Sequence, residues 1–422
     1  MSKLVSLLLV FLILPSTSVA KVWRVRVGGN SDAPSIQAAI DSASVSDSVL
    51  VGTGTFWESI NFKGKDIVVR SEFGAGSTTL DGGQSLAPVV SFKSGETRGA
   101  ILEGFTITGG TGYSESGGPQ RGGGILCVSS SPSILRNRIY SNTLYIPHSD
   151  GAGLAIGSAA LENYSAPLVQ ENVFENNSSA GNGGAVSIQH SCAILSRNQF
   201  KNNSCAGDGG AIWGYFIMSA PTIDHNWLSG NSAGDHGGGI YVAVSGEATQ
   251  ITIDSNIIVR NRADGMSADT ISAGGIWLFN VAGEMRHNTL AENHGNDDSF
   301  CRGGGGIALC EVSPSLNVSE NIISFSAGCG LVCVGEPPTF GQNLIWGNAP
   351  SEVSGCEAAE AIAVLADPLF CSPETDDYSV SANSPAFVDG GFFGAIETPG
   401  CSATVVHQAT WGQVKRRFIR RE

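Results

Sequence analysis

Between residues 137 and 348 the chain repeats one pattern eight times: a Gly-Gly-aliphatic opening, then Asn-x-Φ-x-x-Asn with Φ apolar. The first Asn of each copy is Asn137, Asn172, Asn198, Asn226, Asn256, Asn288, Asn321 and Asn343, at intervals of 22 to 35 residues. A period near 30 residues belongs to stacked solenoid coils, each of which buries its apolar face only against the next. Five residues after each first Asn comes a second, at Asn142, Asn177, Asn203, Asn231, Asn261, Asn293 and Asn348, with Ser326 the single exception.

One copy predicts one coil. Gly209-Gly210 opens it and Ala211-Ile212 starts a short strand. A second strand follows at 221–224, Asn226 turns the corner, Leu228 points inward and Asn231 turns again. Asn suits a corner because it tolerates left-handed backbone and its amide bonds nearby backbone. Three strands per coil with Asn and Gly corners specify an all-β fold, a right-handed parallel β-helix. Stacking would align Ile125, Leu154, Ala185, Ala211, Ile240, Ile276, Ile307 and Leu331 in one interior file, and the eight first Asn in an amide ladder.

The remaining segments divide around this column. Residues 1–20 read as a secretory signal, with Lys3, an apolar run over 4–14 and Ser18-Val19-Ala20 as the cleavage site. Residues 21–348 are expected to form the β-helix, with regular coils over 122–348. A capping helix near 32–44 starts at Asp32 and Pro34 and shows an apolar face of Ile36, Ala39, Ile40 and Ala43; it would cover the open end of the stack. Residues 349–405 read as a closing segment and 406–422 as a basic tail. No later stretch is apolar for the roughly 20 residues a spanning helix needs.

Composition excludes some functions. With 23 basic against 38 acidic residues, the chain lacks the positive surface that nucleic acid requires, and a polyanion would be repelled. Ten cysteines in an exported chain predict disulfides or buried thiols, with Cys356–Cys371 the expected bridge. Cys329 and Cys333 have no partner pair suited to zinc.

The repeats resemble a known set. Gly183-Gly184-Ala185-Val186, Gly209-Gly210-Ala211-Ile212 and Gly238-Gly239-Ile240 are similar to the GGA[I/V/L] motif of chlamydial polymorphic outer membrane proteins, and Phe174–Asn177 and Phe200–Asn203 to their FxxN motif. The chain also resembles exported bacterial β-helix proteins of the pectin-lyase-like superfamily, which holds carbohydrate-active enzymes and surface adhesins. Ser35–Ile40 followed by Val49–Gly52 is similar to the capping segment of pectinesterase-like members, and Asp367–Phe370 and Ser384–Ala386 to the ends of many such chains. One departure is that the residues after Asn348 are too few for the autotransporter barrel of polymorphic outer membrane proteins.

Motifs for the common chemistries of this fold are missing: no Asn-Thr-Asp, Gly-His-Gly or Arg-Ile-Lys set occurs in register, and Asp367-Pro368 continues as Leu369-Phe370 rather than His-Asp. What remains is positional. Loops between the second Asn and the next Gly-Gly stack on one edge and carry His148, Asp150, Asp208, Asp235, His236, Asp264, Asp269, His294, Asp297 and Asp298. Turn chemistry accounts for many Asp-Gly pairs. The same row could hold Ca²⁺ through oxygen or supply an acid and a base; Asp208, Asp235, His236, His294, Asp297 and Asp298 are the catalytic candidates. Trp213, Tyr241 and Trp277 share a position after the first strand residue and are the candidates for stacking on sugars. No cofactor and no dedicated metal site are otherwise expected. The sequence therefore predicts an exported, non-catalytic scaffold for surface adhesion or glycan binding, its partner a polysaccharide or cell-surface ligand. A polysaccharide lyase or glycoside hydrolase with an unrecognised site is the alternative.

Overall fold

The computed structural model describes residues 20–402 except 84, 115–117, 158–164, 217–218, 266–270, 297–302 and 389–390. Residues 1–19 of the expected signal and the whole basic tail lie outside the described residues.

Three long sheets, all parallel, run the length of one column. Each coil enters a glycine-led sheet of 11 strands (Ile60–Asn61 to Val353–Ser354). It then crosses a second sheet of 12 strands (Val22–Val25 to Thr339–Phe340) and an inter-Asn sheet of 11 (Gly54–Phe56 to Leu344–Trp346). The middle coils add a fourth, two-residue strand after the second Asn, as in Ser204–Cys205. This is a right-handed parallel β-helix, roughly 50 Å long at about 4.8 Å per strand.

Pairing corrects the expected interior file by one residue in two coils. Leu154 pairs with Val186, Val186 with Ile212 and Ile212 with Ile240. Ala185 and Ala211 instead occupy the place of Gly153 and Gly239, where Leu154 N–H donates to Ala185 O and Val186 N–H to Ala211 O. The opening is a four-residue unit whose third position must be small. At Gly153 a Cβ would already stand 2.7 Å from the Ala185 carbonyl oxygen.

The corners correct a second expectation. The left-handed residue is not the ladder Asn but the one before it: Arg136, Glu171, Arg197, His225, Ser255, His287 and Glu320 have φ between 53° and 59°. Each first Asn thereby turns its amide inward. Asn226 N–H (2.9 Å) and Nδ2 (3.0 Å) both donate to Asn256 Oδ1, and Nδ2 also donates to Leu195 O at 2.9 Å. The same pattern links Asn137 through Asn172, Asn198, Asn226, Asn256, Asn288 and Asn321 to Asn343. A second ladder runs from Asn142 to Asn293 and is interrupted at Ser326. Glu352 closes its far end, accepting from Asn348 Nδ2 (2.7 Å) and Gly347 N–H (2.7 Å).

Both ends of the column are covered. At the start, helix Ile36–Ser42 buries Ile36, Ala39 and Ile40 over the first coil. Ser35 Oγ accepts from Ala38 N–H and the Glu58 carboxylate from Ile36 and Gln37 N–H, so its free donors are satisfied. At the end sits helix Glu357–Ile362. Cys356 just before it bonds to Cys333 in the glycine-led strand Cys329–Val334, and Cys371 bonds to Cys401. The expected Cys356–Cys371 bridge is therefore not made. Cys356 caps the column, whereas Cys371 belongs to a segment that has turned back along its side. That segment lays Phe370, Tyr378, Val380, Ala386 and Phe393 against outward residues of the inter-Asn sheet, among them Ile257, Val259, Ala291, Ile322 and Leu344. Tyr378 Oη donates to Glu292 at 3.1 Å, Asp376 pairs with Arg260, and Ala395 N–H donates to Thr289 Oγ1. Cys329 is also disulfide-bonded, while Cys127, Cys192, Cys205 and Cys310 are free thiols.

Candidate functional site

Outward positions on the glycine-led sheet change character midway along the column. One outward file reads Leu126, Ala155, Ser187, Trp213, Tyr241, Trp277, Ala308 and Val332; its neighbour reads Val128, Gly157, Gln189, Tyr215, Ala243, Phe279 and Cys310. Five rings thus project from three consecutive coils, flanked by small, aliphatic or polar side chains on either side. Tyr241 and Trp277 stack with centroids 4.7 Å apart and planes within 4°. Trp213 stacks beside Tyr215, and Trp277 beside Phe279, each at 6.1 Å. Trp213 and Trp277 keep 8 % exposure, and Tyr215 37 %. The tryptophans are largely covered, Trp277 with its Nε1–H on Ile271 O at 2.8 Å, so Tyr215 is the most open ring of the patch.

A polar file borders the rings. Arg121, Asp150, Asn182, Asp208 and His236 stack coil on coil, each directly before a glycine with φ between 58° and 72°. That glycine is required, because the backbone turns left-handed there to enter the strand. The file is hydrogen-bonded along its length. Arg121 Nη2 donates to Gln189 Oε1, Gln189 Nε2 (3.2 Å) and Asn182 Nδ2 (3.3 Å) to the Asp150 carboxylate, and Asp208 N–H (3.0 Å) to Asn182 Oδ1. Burial pushes the Asp150 carboxyl up to about 6, against the pull of Arg121. His190, 6.2 Å from Tyr215, is held below the usual histidine value by burial and by Arg121.

At the far end of this file three candidates converge. His236 Nδ1 lies 2.8 Å from Asp208 Oδ1 and 3.3 Å from Asp235 Oδ2. The imidazole packs against Trp277 (4.9 Å between centroids) and Tyr241 (6.0 Å). Burial, then Asp208 and Asp235, push the Tyr241 hydroxyl well above its usual value. Asp208, Asp235, His236, Trp213, Tyr241 and Trp277 therefore form one neighbourhood. His294 is not in it: it sits in the outward file of the short fourth sheet, bridged to Arg262 and Ala327. Asp297 and Asp298 lie outside the described residues. Trp227, on the inter-Asn sheet, is covered by Tyr378, with ring centroids 6.0 Å apart. Arg121, Asn182 and Gln189 were not singled out from sequence. The signal for the first two was available, since each stands immediately before a coil-opening glycine as Asp208 and His236 do.

Residues 173–189 and 199–215 match the model of the Chlamydia polymorphic membrane protein repeat. They are adjacent coils, Val173 pairing with Gln199 and Val186 with Ile212, and the second carries Asp208, Trp213 and Tyr215. Among solved structures, a PL6 family alginate lyase, AlyGC, is similar at 16 % identity and a TM-score of 0.34, over 89 % of this chain; the chain spans 59 % of that structure's length. Among curated proteins none matches it in sequence.

Proposed function

We propose that this parallel β-helix, with repeats of the Chlamydia polymorphic membrane protein type, is an exported, non-catalytic scaffold that binds glycans on the outer face of its glycine-led sheet. The observation that carries this reading is the confinement of five outward rings to three coils, beside a continuous polar file. Interior packing does not require them, since those coils fill the inside with Ile212, Ile240, Val242, Ile276 and Leu278, all buried. Rings beside hydrogen-bonding side chains suit a sugar, which has apolar faces and polar edges. Asp150, Asp208 and Asp235 on the same border, within a chain of net charge −15, favour neutral or amino-sugar glycans over polyuronates. Disulfides fit an oxidising compartment outside the cytosol. No helix among the described residues is long and apolar enough to cross a membrane.

A glycan array followed by calorimetry on the purified chain tests the reading. Tyr215→Ala and Tyr241→Ala should each weaken binding of the selected glycan about tenfold, which is about 1.4 kcal/mol, with the melting temperature of Tyr215→Ala unchanged. Reducing-end assays on the same glycans should find no cleavage. Turnover that falls on the order of 100-fold or more in Asp208→Asn or Asp235→Asn, the scale of general acid–base catalysis, would replace the scaffold with an enzyme.

A further inference from the structure

We propose that Asp208, Asp235 and His236 bind one divalent cation of the zinc-like, nitrogen-accepting class, at the border of the aromatic patch. One ligand atom from each lies within 4.8 Å of the others, all three half-buried. With bonds of about 2.0–2.2 Å, tetrahedral ligand atoms sit about 3.3–3.5 Å apart. The His236 Nδ1 to Asp235 Oδ2 separation of 3.3 Å already matches, and the 2.8 Å to Asp208 Oδ1 needs to open only slightly. A cation would replace the hydrogen bond between imidazole and carboxylate.

The ligands are held in place before any ion arrives. Asp208 N–H is fixed on Asn182 Oδ1, Asp235 N–H on Gly207 O (3.1 Å) and His236 N–H on Asp208 Oδ1 (3.1 Å). The imidazole is wedged by Trp277 and Tyr241, which limits its rotation and orients Nδ1 toward the carboxylates. The donor set also selects the ion. Ca²⁺ takes six to eight oxygen ligands, whereas here one donor is nitrogen and the other walls of the site are aromatic rings. One imidazole and two carboxylates, with a position left for water or ligand, fit Zn²⁺ or its late first-row neighbours. Ca²⁺, which the same row could hold through oxygen, is thus the less suited ion.

The test uses the full chain without a histidine tag and in the absence of glycan, so it stands or falls separately from glycan binding. Equilibrium dialysis against Zn²⁺ should give one saturable site per chain. Affinity should fall at least tenfold in His236→Gln and in Asp235→Asn. Co²⁺ should produce visible absorption and quench tryptophan fluorescence. Absence of a saturable site would overturn the proposal. So would Zn²⁺ binding that is unchanged in both variants, or a Ca²⁺ site that Zn²⁺ does not displace.

Discussion

At seven of the eight first-Asn corners two adjacent residues carry opposite requirements. The ladder Asn needs ordinary backbone and a buried amide, and the residue before it takes the left-handed turn with its side chain outward. Asn226→Ala should therefore cost about 1–3 kcal/mol, since it leaves the amides of neighbouring coils unpaired. His225→Gly, one position earlier at φ 54°, should be close to neutral: relief of roughly 1–2 kcal/mol of left-handed strain offsets the entropic cost of glycine, about 0.5–1 kcal/mol. Urea melts of the two variants check this, and equal losses would contradict the division of roles. Asp150 makes a second residue-scale test. Its native carboxyl titrates at about 6, above the roughly 3.9 of an unfolded Asp. The native state then binds more protons across that interval, and this group's contribution to stability falls as pH rises through it. Melting temperatures from pH 4 to pH 7 should decline less steeply in Asp150→Asn than in the parent; identical slopes would remove Asp150 as the source.

Among elements, the segment from Phe370 to Cys401 departs most from a simple closing cap. The outward positions of the inter-Asn strands anticipate it: Gln199 and Lys201 give way to Trp227 and Ser229, then to Ile257 and Val259, Thr289 and Ala291, and Ile322 and Ser324. A solvent-facing strip does not turn apolar over successive coils unless something covers it. Cys371–Cys401 ties the covering segment's two ends. The double variant Cys371→Ser/Cys401→Ser should raise amide exchange in that segment and increase dye binding to the exposed strip, while the ladder amides of coils 137–231 keep their protection. Exchange rising equally through the whole column would mean that the segment is part of the global folding unit.

For the whole molecule, the repeat period and the paired Asn register were enough to specify the column, because each coil buries itself only against its neighbours and the rule is local. The same periodicity placed Asp208, Asp235, His236, Trp213, Tyr241 and Trp277 on plausible faces. It could not say that Asp208 reaches across a coil to the histidine beside Asp235, since that depends on the register between coils whose lengths vary from 22 to 35 residues. Nor could it pair the cysteines: Cys356 and Cys371 are near in sequence, but one closes the column end and the other has turned back along its flank. What local sequence determined here was the coil, because an apolar inside and amide corners repeat in every copy. What only tertiary structure decided was the cross-coil cluster, the disulfide partners and the covering of one flank, because each joins residues whose separation no repeat fixes.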